Sequence, residues 1–169
     1  MEEIQLWIEK LKIVDLISEY TLAIDRHDSE GWANCFTDDG LIGFGDLCIR
    51  GRAKLHEYAR IHSQIGSRHL TTSPLYQIAD DCQNATRNAT TVVTASTSKG
   101  FKILFIGSYT DKLTKVDGKW FFTERWVKDE VMPDRPDFFV GSADPDIVKL
   151  TKPLLEAFQR IGEKVRSKG

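Results

Sequence analysis

Residues 86–130 read TRNATTVVTASTSKGFKILFIGSYTDKLTKVDGKWFFTERWVKDE. Two turn signals, Ser98-Lys99-Gly100 and Asp117-Gly118, cut this stretch into Thr86–Ser98, Phe101–Val116 and Lys119–Glu130. Each piece is rich in Thr, Val, Ile and aromatic side chains, which fit a pleated, half-buried surface, and Asp-Gly is a two-residue hairpin signal. Just upstream, Arg68–Ile78 has the same texture and is set off by Asp80-Asp81 and Asn84. Four strands joined in succession make an antiparallel meander. Pro74 is a bulge signal in the first of them, so spacing alone leaves open which face His69 occupies.

The N-terminal side is helical. Residues 3–26 read as one long helix, and at 100° per residue with Trp7 at zero an apolar arc gathers Leu11, Val14, Ile4 and Leu22 within about 60° of it. Glu9, Lys12 and Glu19 fall on the opposite side and are expected in solvent. Asp25 lies five whole turns after Trp7, so it is expected to point from the middle of the apolar arc. A carboxylate there breaks the pattern, and such breaks tend to mark function. Asp28 reads as the N-cap of a second helix, Ser29 to Phe36, with Trp32, Cys35 and Phe36 inward and Asp38-Asp39-Gly40 ending it. LIGFGDLCIRG (41–51) reads as a hairpin around Gly45-Asp46, and Arg52 to Ile65 as a third helix carrying Leu55, Tyr58, Ile61 and Ile65.

Beyond the meander, residues 131–146 form a Pro/Asp/Gly loop. Residues 147–166 follow as an amphipathic segment striped by Ile147, Leu150, Leu154, Phe158, Ile161 and Val165, with Pro153 forcing a break or restart. Helices first and strands afterwards give an α+β fold, with residues 1–130 as the domain and 131–169 as a loop and helix packed on it. A bent sheet wrapped by a long helix makes a cone whose mouth is a natural small-molecule pocket.

Composition narrows the class further. A chain of 169 residues suits one domain, and 41% hydrophobic with 28% charged residues is a globular profile. A formal net charge of −2 argues against nucleic-acid binding. No apolar run reaches the ~20 residues that span a bilayer, and the acidic, amphipathic start is unlike a secretory signal. Cytoplasmic placement follows, with Cys35, Cys48 and Cys82 as reduced thiols and the Asn84-Ala-Thr86 and Asn88-Ala-Thr90 sequons idle. His56 and His62 do not share a helix face, no zinc quartet exists, and Gly43-Phe44-Gly45 lacks a third glycine, so neither a metal nor a phosphate loop is expected. GxSxG is absent. The candidate chemistry rests on Asp25 with His69, since a buried carboxylate fixes an imidazole tautomer and makes it a general base.

Tyr20-x4-Asp25, Asp28-x3-Trp32, Phe36-x-Asp38-Asp39, Arg68-His69-Leu70, Gly107-x-Tyr109-x-Asp111 and Asp117-Gly118-Lys119-Trp120 occur in order. Together they resemble the SnoaL-like branch of the NTF2-like superfamily, over about residues 5 to 130. The resemblance implies a cone-shaped α+β fold with a curved antiparallel sheet, three N-terminal helices and an added C-terminal helix. It also implies a homo-dimer or homo-trimer without metal or organic cofactor. Among relatives that the pattern is similar to are scytalone dehydratase, hexachlorocyclohexane dehydrochlorinase and bile-acid 7α-dehydratase. By that likeness Asp25 and His69 are the catalytic dyad and Tyr20 lines the site. Two departures stand out: Thr90 to Thr97 holds no second strand histidine, and Tyr20 stands where the dehydrochlorinase has lysine. The expected function is a cofactor-independent dehydratase-type lyase or isomerase acting on a small, largely apolar cyclic substrate. Tyr20, Trp32, Phe36, Tyr109 and Arg125 are the expected substrate-binding residues. The alternatives are a polyketide cyclase or epoxide hydrolase on the same fold, or a non-catalytic ligand-binding or accessory subunit.

Overall fold

The four long strands form as read. A computed structural model of the chain, describing residues 3–129 and 145–165, places β3 at Ser67–Ile78, β4 at Asn84–Thr97, β5 at Gly100–Val116 and β6 at Lys119–Asp129, all antiparallel neighbours. Ahead of them come α1 (Glu3–Asp25), α2 (Ser29–Ala33), β1 (Phe36–Phe44), β2 (Leu47–Arg50) and α3 (Arg52–His62), the last continued by a 3-10 turn over Ser63–Ile65. After them come α4 (Pro145–Ile161) and the short β7 (Glu163–Lys164). The seven strands lie in the order β3-β4-β5-β6-β1-β2-β7. The fold is α+β, an open curved sheet with helices on its concave side. The loop expected over 131–146 lies, but for its last two residues, outside the described residues.

Two joints differ from the sequence reading. α2 stops at Ala33, and Phe36 opens β1 instead of closing the helix. The Arg52 guanidinium donates to the Phe36 carbonyl (2.9 Å), which ties this segment to α3, and the Phe122 N–H donates to that of Cys35 (2.9 Å), which draws it onto β6. That pairing is parallel, with Gly43 opposite Trp126, so the sheet is antiparallel everywhere except at β1–β6. A side chain on Gly43 would collide with the Trp126 ring, and Gly45 turns the β1–β2 hairpin at φ 57°. Close packing and a tight turn therefore account for Gly43 and Gly45. The second joint is α4, which runs through Pro153 without a break. Only Ile147, Leu154 and Phe158 of its expected stripe are buried, and Val165 falls beyond the helix.

The face of α1 is reversed. Ile13, Leu16, Tyr20, Ala23 and Ile24 are buried against the sheet, whereas Trp7 is 57% and Leu11 61% exposed. Glu9, expected in solvent, is 1% exposed. Its carboxylate accepts from Trp120 Nε1 (2.8 Å), Lys12 Nζ (3.1 Å) and Gln5 Nε2 (2.9 Å), and pairs with Lys115 Nζ at 2.6 Å. Burial would raise this carboxyl, but those cationic and indole donors pull it down to about 2. The helix carries apolar side chains on both sides, so periodicity could not choose between them; the two partners from the sheet, Lys115 and Trp120, fix the rotation.

Candidate functional site

α1 ends on Asp25, and the chain then turns through His27 at φ 66°. Arg68 Nη1 caps that end, donating to the Asp25 carbonyl at 2.9 Å. Asp25 thus owes its inward placement to its position as the last helical residue beside β3; the arc around Trp7 plays no part. On β3, Ser67 and His69 face inward, ahead of the irregularity at Ser73-Pro74. The two residues meet closely. His69 Nδ1 is 2.7 Å from Asp25 Oδ1, and the His69 backbone N–H donates to Oδ2 at 3.1 Å. One carboxylate so grips both the ring and the main chain of the histidine. An acceptor-only partner at Nδ1 selects the Nδ1–H tautomer and leaves the Nε2 lone pair free.

His69 stands at the wall of a narrow interior cavity with about 40 Å³ free to the centres of water-sized molecules, room for about three waters. Of the residues singled out from the sequence, Tyr20 of α1, Trp32 of α2 and Tyr109 of β5 line it too. Phe36 and Arg125 do not. Phe36 is fully buried behind the wall, its ring 5.0 Å from Trp32 and 5.4 Å from Phe122. Arg125 lies a layer deeper: its Nε and Nη2 donate to Asp111 Oδ1 and Oδ2, both at 2.8 Å. Arg87 Nη1 reaches the same Asp111 Oδ2 at 2.6 Å. Two guanidiniums against one carboxylate leave a net positive charge in the core. The Arg125 guanidinium sits 4.1 Å from the Tyr20 ring and 4.4 Å from that of Tyr109. Burial pushes both phenols up, and Arg125 works against that rise. Burial would lower Arg125 itself, yet Asp111 holds it above its usual range.

Several lining residues were not anticipated. His62 and Tyr58 of α3 and Leu154 and Phe158 of α4 complete the wall. His62 belongs to the buried set Leu55, Tyr58, Ala59 and His62, and that i, i+3, i+4, i+7 spacing was readable in the sequence. Arg87 and Asp111 alternate with Ala85 and Ala89 on β4 and with Tyr109 and Leu113 on β5, which is the signal that faces them inward. Among the described residues no group of three or more His, Cys, Asp or Glu side chains converges as metal ligands would. None of their helices is long and apolar enough to cross a membrane.

A SnoaL-like domain profile matches residues 8–126. The chain belongs to the SnoaL-like family. Among solved structures it is similar to a variant of Rv3472 from Mycobacterium tuberculosis, a protein of unknown function, with 38% identity over 99% of each chain and a TM-score of 0.89. A candidate scytalone dehydratase from Novosphingobium aromaticivorans shares the fold at 19% identity, covering 76% of this chain and 88% of that one, with a TM-score of 0.68. An NTF2-like protein with a cystatin-like fold from the same organism does so at 20% identity, with coverage of 83% and 88% and a TM-score of 0.68. No curated protein sequence matches.

Proposed function

We propose that the protein is a cofactor-independent lyase of dehydratase type, or an isomerase, acting on a small, largely apolar cyclic substrate. The observation that supports this most is the double grip of Asp25 on His69 at the edge of an apolar cavity. In this reading His69 Nε2 takes a proton from carbon beside an activating group, while Asp25 holds the ring and balances the imidazolium that forms. In the elimination the carbon–carbon double bond then forms as the β carbon–oxygen bond breaks, and the imidazolium returns its proton to the departing hydroxyl, which leaves as water. In an isomerisation it returns the proton to another carbon. Tyr20 and Tyr109 donate to the substrate oxygen, and the surplus charge of Arg87 and Arg125 behind their rings favours the negative charge developing there. A six-membered ring exceeds the room for about three waters, so Leu154 and Phe158 of α4 shift to admit it. The same reading has the protein working in the cytoplasm as a homo-dimer or homo-trimer, without nucleic acid.

A screen of cyclic β-hydroxy ketones and phenolic alcohols, followed by the ultraviolet absorbance of the new conjugated double bond, tests it. Asp25→Asn and His69→Ala are expected to lower turnover by about 10²–10⁴-fold, the usual contribution of a general base, with circular dichroism unchanged. Turnover surviving in either variant contradicts the dyad. Arg125 is locked to Asp111 and away from the cavity, which leaves the epoxide-hydrolase alternative without its water-gripping arginine.

A further inference from the structure

His62 takes no part in the chemistry above, yet its ring lies 5.3 Å from that of His69 on the same cavity wall. Its Nδ1 is buried and has no hydrogen-bond partner within the protein. Trp32 Nε1, of the same wall, is buried too, with Tyr20 as the polar side chain beside it. Ile24, Ile42, Ile65, Val93 and Leu104 make up much of the remaining surface and offer these nitrogens nothing. Buried polar atoms are nearly always satisfied, so an exception on a side chain that lines a cavity points to a polar group that arrives with a ligand.

We propose that His62 is a second substrate-contacting residue, whose unpartnered Nδ1 selects ligands carrying a hydroxyl group. Burial, with His69 and His27 nearby, pushes the imidazole down to about 3, so it is neutral at physiological pH. A neutral imidazole offers one N–H and one lone pair, and a hydroxyl can answer whichever of the two Nδ1 presents. A methyl group of the same size answers neither. The inference rests on the cavity being the substrate site and deepens that reading: the ring that His69 attacks carries its hydroxyl on the α3 side.

Phenol and toluene, matched in shape, are the probes, with calorimetric affinities measured on the full chain. An apolar cavity without a partner favours toluene, because the phenol hydroxyl gives up its water. The protein is expected instead to bind phenol about tenfold more tightly, the effect of pairing one buried polar group. His62→Phe should abolish or reverse that preference, and His69→Phe should keep it. Equal or better toluene binding by the unaltered protein, binding of neither probe, or a preference that survives His62→Phe overturns the proposal. Should His62→Phe fail to fold, nitrogen-15 resonances of the unaltered protein decide: phenol must move the His62 Nδ1 signal and toluene must not. Failure of the dyad appears separately, as turnover that survives Asp25→Asn, and leaves the phenol preference untouched.

Discussion

Asp25 holds His69 through two oxygens at once, so exchanging one of them for an amide does more than remove a charge. In Asp25→Asn the amide nitrogen facing Nδ1 turns an acceptor into a donor, which favours the opposite tautomer and takes the lone pair away from the cavity. His62 gives a separate pH signature. The folded imidazole titrates near 3 and an unfolded one near 6.5, so between those values the unfolded chain binds more protons. Its contribution is complete above pH 6.5 and is lost as the pH falls through the window, at no more than about 1.4 kcal/mol per pH unit. Urea midpoints taken from pH 7 to pH 4 should fall less steeply in His62→Phe than in the parent; parallel slopes would count against a buried neutral imidazole. Glu9 acts lower down. With its folded value near 2 and an ordinary value of 4.5, it stabilises above 4.5 and ceases to do so as the pH drops toward 2. Glu9→Gln should remove part of that acid limb in the same titration.

At the level of elements, the meander was legible because turn residues bound each strand and β-branched residues fill it. α1 shows where that legibility ends. Its extent agrees with the reading to within a residue, but Trp7 and Leu11 look as buriable as Ile13 and Leu16. Only partners distant in sequence, Lys115 and Trp120 around Glu9, decide the rotation. Asp25 therefore meets His69, although the arc that singled it out is the face that the fold turns outward. The inner face of β5 was hidden for a different reason: an irregularity at Leu104, between the Val93–Phe105 and Thr94–Ile103 pairs, switches which side alternate residues face. Phe105 and Tyr109 point inward in consequence, and Phe101 and Ile103 outward. On α2, Asp28 accepts from the Gly31 N–H at 2.8 Å as an N-cap should. Asp28→Ala is expected to cost about 1 kcal/mol, measured by urea denaturation. Leu154, fully buried between α4 and the cavity, is expected to cost about 2–5 kcal/mol as Leu154→Ala. A loss well below that would mean α4 is loosely docked.

Across the whole molecule, the fully buried charged side chains among the described residues gather in two places for two reasons. Glu9 with Lys115 pins the long helix, while Arg87, Asp111 and Arg125 set a surplus positive charge beneath the tyrosines that border the cavity. Outside, α1 exposes Ile4, Trp7 and Leu11, and the sheet exposes Leu70, Leu75, Phe101 and Ile103. These exposed apolar side chains are available for contacts between chains, and the two or three chains that the family resemblance implies should appear in sedimentation equilibrium as that multiple of the chain mass. A monomer at every concentration would contradict it. The dyad itself is tested most directly by the tautomer of His69. In nitrogen-15 spectra of histidine-labelled protein at neutral pH, Nδ1 should carry the proton and Nε2 should have the signature of a bare lone pair. Asp25→Asn should erase that state; a proton on Nε2 in the unaltered protein, or a tautomer indifferent to Asp25, would contradict the proposed chemistry.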